Sequence, residues 1–132
     1  MDIAVQSADI IRQGARLVVM DVDSTLIQDE VIDLLAREAG CEAAVAEVTA
    51  RAMAGELDFA ESLRERVAAL AGTPQSALLT VRDAVRLTPG ARTLCRTLVS
   101  LGYKLALVSG GFSEIVGPLA AQLGVHRFRA NT

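Results

Sequence analysis

The sequence predicts an α/β protein: a Rossmann-like parallel sheet core with a four-helix cap inserted after the first strand. Two short apolar runs, LVVM at residues 17–20 and KLALV at residues 104–108, have the length and composition of sheet strands. Residues 28–86 lie between them and show helical periodicity. Because this order of elements is typical of parallel α/β sheets, we expect a parallel core whose first strand is buried on both faces.

Glycines and a capping box divide residues 28–86 into separate helices. Two apolar stripes end at Gly40 and at Gly55, and glycine is a common helix stop. Asp58 is placed as an N-cap, with Glu61 as the partner that completes a capping box. This third helix is expected to pack through an apolar face formed by Phe59, Leu63, Val67 and Leu70.

Two Thr-Pro pairs are predicted to open the next two helices. Thr73 is the expected cap of the fourth inserted helix, with Pro74 at its first helical position. The second pair, Thr88 and Pro89, is expected to open the helix that leads to the second strand and ends at Gly102. The apolar face of that helix is expected to comprise Leu94, Leu98 and Leu101.

The predicted elements divide the chain into three parts. A helical pattern follows the second strand, and HRFRANT at residues 126–132 is expected to begin a third strand. We therefore predict a connector helix at residues 1–15, a sheet core formed by residues 16–27 and 87–132, and a helical cap at residues 28–86.

Composition and charge exclude several classes of function. The net charge is −3 and the aromatic residues are three Phe, one Tyr and no Trp, so a basic stacking surface for nucleic acid is not expected. No apolar run approaches the roughly 18 residues of a membrane span. Cys41 and Cys95 lack metal-ligand spacing and are expected to be buried free thiols, which indicates a reducing compartment and a cytoplasmic protein.

Two aspartates follow the first strand and mark a candidate site. Asp21 and Asp23 point the same way if the chain is extended, and at an effective dielectric near 20 their repulsion is on the order of 2 to 3 kcal/mol. A divalent cation reverses that sign, and Mg²⁺ suits an all-oxygen site with few protein ligands. A purely structural interpretation is that one aspartate ends the strand and the other caps a turn.

The second strand ends in VSGG, a second candidate site. Ser109 offers a hydroxyl, and the two glycines that follow let an anion approach the backbone at a helix start. Ligands of open α/β sheets bind at the carboxyl ends of the strands, so the two strand tips are expected to face one crevice. Taken alone, VSGG is explained equally well by a strand-to-helix turn without a ligand.

These motifs resemble the haloacid dehalogenase (HAD) superfamily, within the branch that hydrolyses O-phosphoserine. The likeness covers residues 16–132 and is carried by DVDST and VSGG at the strand tips and by EVIDLLAREAG, RAMAGELDFAESLRERV and LTPGARTL. The resemblance implies a HAD-like fold and a magnesium-dependent phosphatase that releases serine and phosphate in the last step of serine biosynthesis.

The resemblance also implies roles for individual residues. Asp21 is the expected nucleophile that takes the phosphoryl group as an aspartyl-phosphate. Asp23 is expected to protonate the departing serine oxygen and then to deprotonate the attacking water. Thr25, Ser109 and the Gly110 amide are expected to hold phosphoryl oxygens. The implied metal ligands are the Asp21 carboxylate and the Asp23 backbone carbonyl.

A phosphorylated amino acid carries an ammonium and a carboxylate, so a selective site needs one opposite charge for each. Glu30 can meet the ammonium, and Arg66 can grip the carboxylate with its two-pronged guanidinium. Phe59 and Met53 match the positions at which the family closes an apolar lid. The alternatives stay open: Phe59 and Met53 as ordinary cap core, and Glu30 and Arg66 as solvated helix surface.

The sequence departs from the family pattern in two respects. That pattern has a later lysine and a Gly-Asp-Gly-x-x-Asn-Asp strand end with a further metal ligand, whereas the only lysine here is Lys104. We therefore expect a C-terminally truncated, incomplete core with an exposed first strand, self-association or dimerisation through that edge, and little activity. The alternatives are an inactive HAD fragment that binds phosphate or a partner, and a phospho-accepting receiver module.

Overall fold

Three parallel strands form one sheet, in the order β1-β2-β3. The computed structural model describes Gly14 and residues 16–132, so the predicted connector helix at residues 1–15 falls, Gly14 apart, outside the described residues. The strands are β1 (Leu17–Met20), β2 (Lys104–Phe112) and β3 (Arg127–Asn131). The three predicted strands and their parallel arrangement are thereby confirmed.

Helices fill the chain between the strands, four of them between β1 and the helix that leads to β2. None of the helices in the described part of the chain is long and apolar enough to cross a membrane. Their bounds are α1 (Val31–Ala39), α2 (Glu42–Met53), α3 (Phe59–Ala69), α4 (Ser76–Ala84), α5 (Ala91–Ser100) and α6 (Ser113–Gln122). The predicted α/β fold with an inserted four-helix cap is therefore confirmed.

Local end signals place most helix boundaries correctly. Gly40 follows α1 with a φ of 70°, a left-handed conformation that glycine adopts without a steric penalty. Asp58 caps α3, and its carboxylate accepts the Glu61 N–H at 2.8 Å while the Glu61 carboxylate accepts the Asp58 N–H at 2.9 Å. The predicted capping box is thus confirmed, and it satisfies two N–H groups that a helix start leaves free.

Neither Thr-Pro pair opens its helix as predicted. Gln75, not Thr73, is the N-cap residue of α4, and no side chain caps this helix. Gly90, not Thr88, is the N-cap residue of α5 and no side chain caps this helix, while the Thr88 hydroxyl donates to the Thr25 carbonyl at 2.7 Å.

Helices cover one face of the sheet, and the other face carries exposed apolar side chains. Leu105 and Leu107 of β2 are buried, whereas Val108 is 50% exposed and Leu17 and Val19 of β1 are 58% and 55% exposed. Right-handed crossovers between neighbouring parallel strands place α5 and α6 on the same side. Burial of β1 on both faces is therefore a wrong prediction, and its position at the sheet edge is confirmed.

The cap is attached to the core through α1 and α4. Their buried residues, which include Leu35 and Val81, belong to the same apolar cluster as β2 and α6. By contrast, α2 and α3 bury only Val45 and Ser62. The predicted packing face of α3 is not buried: Phe59 is 68% exposed.

The buried face of α5 also differs from the predicted one. Ala91 and Cys95 are buried, whereas Leu94 and Leu101 are largely exposed. Burial raises the pKa of the Cys95 thiol, which suits an inert core residue. Cys41 is free, as predicted, but only half-buried, because it sits at the start of α2 rather than on a packed face.

An ion pair joins the two connections between core and cap. The Asp29 carboxylate accepts the Arg86 guanidinium at 2.7 Å and the Arg86 backbone N–H at 2.9 Å. The Gln28 N–H donates to the Arg86 carbonyl at 2.9 Å, and Ile27 forms a bridge with Leu87. The Arg86 hydrogen bond lowers the pKa of Asp29, whose side chain is only 8% exposed. The entry and exit of the cap are therefore held together.

Replacing Asp29 tests this connection. We expect Asp29→Asn to lower the free energy of unfolding at neutral pH by roughly 1 to 2 kcal/mol, because a charged hydrogen bond is lost. Since the pKa of Asp29 is lowered in the fold, its stabilisation is complete above the unfolded pKa of about 3.9 and disappears as the pH falls further. Urea unfolding across that pH range measures the difference between variant and parent.

Asp83→Asn is the matched control, since Asp83 pairs only with the adjacent Arg82 and is 71% exposed. This control should change stability little at any pH. A destabilisation by Asp29→Asn that is equally large at acidic and neutral pH contradicts the role of the carboxylate charge.

Candidate active site

The tips of β1 and β2 face a common cavity of about 190 Å³. The carboxyl ends of neighbouring parallel strands lie at one edge of a sheet, where such folds bind ligands. The predicted site residues that line the cavity are Asp21, Asp23, Glu30, Phe59, Arg66 and Gly110. The structure therefore brings together residues from the loop after β1, from β2 and from the cap.

A short loop carries the two aspartates into this cavity. Residues 21–30 form the strand-tip loop. Within this loop the Ile27 N–H donates a hydrogen bond to the Val22 carbonyl at 3.0 Å. Val22 and Ile27 are fully buried and anchor the loop. Asp21 is exposed, and its Oδ1 accepts the N–H of the next residue at 2.7 Å. One carboxylate oxygen is thus held while the group remains accessible from the cavity.

Asp23 is held from two sides. Its Oδ1 accepts the Val31 N–H, and its Oδ2 accepts the Ser109 hydroxyl, both at 2.9 Å. The Ser109 oxygen in turn accepts the Gly111 N–H at 2.8 Å. This chain of bonds joins the end of β2, the strand-tip loop and the first residue of α1, so Asp23 keeps one orientation in the cavity.

Side chains on the two glycines after Ser109 would make tight contacts with the site. A Cβ on Gly111 would lie 3.0 Å from the Ser109 hydroxyl oxygen and 3.1 Å from Asp23 Oδ2. A Cβ on Gly110 would lie 3.2 Å from the end of the Phe59 ring. The first glycine thus lets the cap approach β2, and the second makes space for the Ser109–Asp23 hydrogen bond.

Opposite charges from the cap line the same cavity. Glu30 precedes α1, and its Oε1 accepts the Ser24 hydroxyl at 2.6 Å. Arg66 lies on α3 and is half-buried, with its Nε 3.4 Å from the Ser62 carbonyl oxygen. A ligand that carries both an anionic and a cationic group fits this charge distribution.

Three predicted site residues do not line the cavity. Met53 is 87% exposed at the end of α2. Thr25 is exposed, and its backbone carbonyl accepts the Thr88 hydroxyl. Ser109 is buried and acts on the cavity through Asp23 rather than directly. Their roles as lid and as phosphoryl ligands stay predictions.

Sequence reasoning missed several residues of the site. Ser24 was not a candidate, although it stands between two that were. Leu63 was assigned to a packing face of α3, whereas that face borders the cavity. Ile32 and Phe112 also line the cavity without having been candidates, whereas the lining residue Gly111 belongs to the VSGG motif. Ser24 belongs to the DVDST motif, but its hydrogen bond to Glu30 depends on a loop conformation that sequence does not reveal.

The residues present fit a hard divalent cation in part. Asp21 and Asp23 offer an all-oxygen donor set, which is the chemistry that Mg²⁺ prefers. Within residues 16–132, however, no group of three or more His, Cys, Asp or Glu side chains is placed to hold a metal. The predicted pair of protein ligands therefore leaves most of an octahedral coordination shell to water and ligand.

This arrangement of strand tips, inserted helices and paired aspartates defines a class of hydrolase. The haloacid dehalogenase-like hydrolase family matches residues 15–132, and the chain belongs to it. Membership removes the support for a receiver-type module.

Within this family the chain is similar to phosphoserine phosphatases. It is 61% identical over 132 residues to the phosphoserine phosphatase of Streptomyces coelicolor. The aligned region is all of this chain and 32% of the relative. It is 53% identical over 115 residues to that of Streptococcus thermophilus, covering 87% of this chain and 54% of the relative. A substrate-bound phosphoserine phosphatase structure matches with a TM-score of 0.81 and 38% identity, over 89% of this chain and 56% of that one. The chain thus spans about a third to a half of these proteins.

Gly111→Ala tests the Asp23 arrangement. The new methyl group would contact both Ser109 and Asp23, so we expect Asp23 to release the Val31 N–H. Amide hydrogen exchange at Val31, measured by NMR, should accelerate roughly five- to tenfold, the equivalent of about 1 kcal/mol.

Gly110→Ala is the matched control. Its methyl group meets only the end of the exposed Phe59 ring, which can rotate away, so exchange at Val31 should not change. Unchanged exchange in Gly111→Ala, or equal acceleration in both variants, contradicts the steric role of Gly111.

Proposed function

We propose that this site belongs to a phosphoserine phosphatase, which hydrolyses O-phosphoserine to serine and phosphate in serine biosynthesis. The observation that carries the proposal is the pair of strand-tip aspartates. Asp21 is accessible in the cavity and Asp23 is fixed beside it by Ser109 and Val31. Identity of 61% to a phosphoserine phosphatase supports the choice of substrate.

The two carboxylates divide the proposed chemistry between them. A carboxylate oxygen of Asp21 attacks the phosphorus, and the bond from phosphorus to the serine oxygen breaks. The Asp23 carboxyl gives its proton to the leaving oxygen and then removes a proton from water. That water attacks the aspartyl-phosphate, which releases phosphate and restores the Asp21 carboxylate. The hydrogen bonds to Asp23 keep its carboxyl beside the reacting atoms through both steps.

The remaining lining residues suit the amino-acid part of the substrate. Glu30 is proposed to meet the ammonium and Arg66 the carboxylate, since each has the opposite charge and lines the cavity. Phe59, whose ring lies next to Gly110, is proposed to close the apolar side of the cavity over the substrate. Met53 completes the lid in this proposal only if the end of α2 moves toward the cavity.

Phosphoryl oxygens require neutralisation during transfer. The proposed partners are the Gly110 amide, the Thr25 and Ser109 hydroxyls, and Mg²⁺ held by Asp21 and the Asp23 carbonyl. The metal supplies positive charge that stabilises the transferring group.

Cytoplasmic location is proposed because both cysteines are free thiols.

An inactive binding fragment is the second candidate function. Two observations favour it: the only lysine, Lys104, lies at the start of β2, away from the strand tips, and among the described residues no three His, Cys, Asp or Glu side chains are placed to hold one metal ion. Binding of phosphoserine without turnover distinguishes this candidate from the enzyme.

Asp21→Asn tests the proposed nucleophile. The chain is incubated with Mg²⁺ and O-phospho-L-serine labelled on phosphorus, then denatured, and protein-bound label is measured. We expect the parent chain to carry label and Asp21→Asn to carry none, because the amide is not a nucleophile. This measurement detects the phosphoenzyme even where its later hydrolysis by water is slow.

Asp33→Asn is the matched control, since Asp33 is an exposed carboxylate on α1 that does not line the cavity. Its label should equal that of the parent. Label on Asp21→Asn contradicts the assignment of the nucleophile, and an unlabelled parent that binds phosphoserine supports the inactive binding fragment.

Self-association through β1 is a further part of the proposal. An edge strand with exposed apolar side chains is a template for pairing, and Val19 is 55% exposed there. We expect sedimentation velocity to detect dimers or larger species that dissociate on dilution. Val19→Lys should shift the chain toward monomer, because a charge on the edge opposes pairing.

Leu79→Lys is the control for that substitution. Leu79 is also 55% exposed but lies on α4, so its replacement should leave association unchanged. A parent chain that is monomeric at every concentration contradicts the prediction.

A further inference from the structure

Ser24 has an unusual backbone conformation in the strand-tip loop. Its φ is 50° and its ψ is 13°, and among the described residues it is the only non-glycine residue with a positive φ. Such conformations are strained for residues other than glycine and are kept where the surroundings enforce them, often at functional sites. The sequence pattern around Asp21 and Asp23 gives Ser24 no role of its own.

The strained conformation places two hydrogen bonds across the loop. The Ser24 N–H donates to the Asp29 carbonyl at 3.2 Å, and the Ser24 hydroxyl donates to Glu30 Oε1 at 2.6 Å. Glu30 occupies the position before α1, yet its side chain makes no capping bond to that helix. The carboxylate that lines the cavity is therefore held by Ser24 and not by the helix end.

We propose that Ser24 is a positioning residue that holds the Glu30 carboxylate ready for the ammonium group of the substrate. The inference rests on the proposed function, because it assumes that Glu30 meets an ammonium. Glutamate has three side-chain torsions, and ordering such a flexible side chain on binding costs conformational entropy. A carboxylate already oriented in the free protein avoids much of that cost.

Serine suits this position better than its closest alternatives. Alanine keeps the backbone but lacks the hydroxyl. Threonine keeps the hydroxyl, but its branched Cβ disfavours a positive φ. Glycine adopts the conformation without strain but has nothing to hold Glu30. Ser24 is also adjacent to Asp23, so the same loop geometry orients the predicted acid and the predicted ammonium-binding group.

Binding by the intact chain tests the proposal without depending on turnover. The probes are O-phospho-L-serine and 3-(phosphonooxy)propanoate, the same molecule without its amino group, titrated by calorimetry without Mg²⁺, so that no phosphoryl group is transferred during the measurement. We expect Ser24→Ala to weaken phosphoserine binding by about three- to tenfold, as the ordering cost of one side chain predicts. Binding of the analogue should stay unchanged, since it has no ammonium.

A double-mutant cycle separates positioning from general damage. If Ser24 acts through Glu30, Ser24→Ala should have no further effect on phosphoserine binding in a Glu30→Gln background. Ser113→Ala is the matched control, because it removes a similar exposed Ser–Glu hydrogen bond, to Glu114, at 3.2 Å. This control should bind both probes as the parent does.

Each outcome bears on a different claim. If the parent binds phosphoserine no better than the analogue, the proposed role of Glu30, and with it the proposed substrate selectivity, is wrong. If the parent prefers phosphoserine but Ser24→Ala keeps that preference in full, only the role of Ser24 is wrong. Equal weakening of both probes by Ser24→Ala also overturns it, because that result means a distorted loop.

Discussion

The hydrogen bonds that hold the Asp23 carboxylate are the interaction on which the site depends. They tie Ser109 at the end of β2 to Val31 at the start of α1 through one side chain. Sheet, strand-tip loop and cap therefore share a single polar connection at the cavity. A carboxylate beside the apolar core loses hydration, and hydrogen bonds to its oxygens offset that free-energy cost. The same bonds that orient the Asp23 carboxylate therefore also stabilise it there.

The cap consists of two parts that differ in how they are held. Helices α1 and α4 share the apolar core with the sheet, and the Asp29–Arg86 pair joins the connections on either side of the cap. Helices α2 and α3 bury little, and an ion pair between Arg51 and Glu65 at 2.7 Å joins them. Both partners are about 40% exposed, so this pair contributes little stability. The part of the cap that carries Phe59 and Arg66 thus has the weaker attachment, which suits residues that close on a ligand.

The apolar face of the sheet opposite α5 and α6 has a different chemistry from the cavity. Lys104, Arg127 and Arg129 share it with exposed apolar side chains, as their register with Leu17, Ala106 and Val108 requires. No acidic residue occurs in the three strands. This face is therefore apolar along β1, basic along β3 and mixed along β2, where Lys104 precedes Ala106 and Val108.

Much of the fold and the outline of the site were determined by the sequence alone, because their signals are local. Helix stops at Gly40, the capping box at Asp58, apolar strands and the spacing of Asp21 and Asp23 act over a few residues. Which face of α3 or α5 is buried, whether both faces of β1 are covered and where Thr88 donates its hydroxyl were decided by the tertiary structure, since burial and hydrogen bonding depend on segments distant in sequence. For the same reason Met53 and Thr25 fall outside the cavity while Ser24 holds Glu30: a motif specifies which groups are available, and only the folded loop specifies which of them meet.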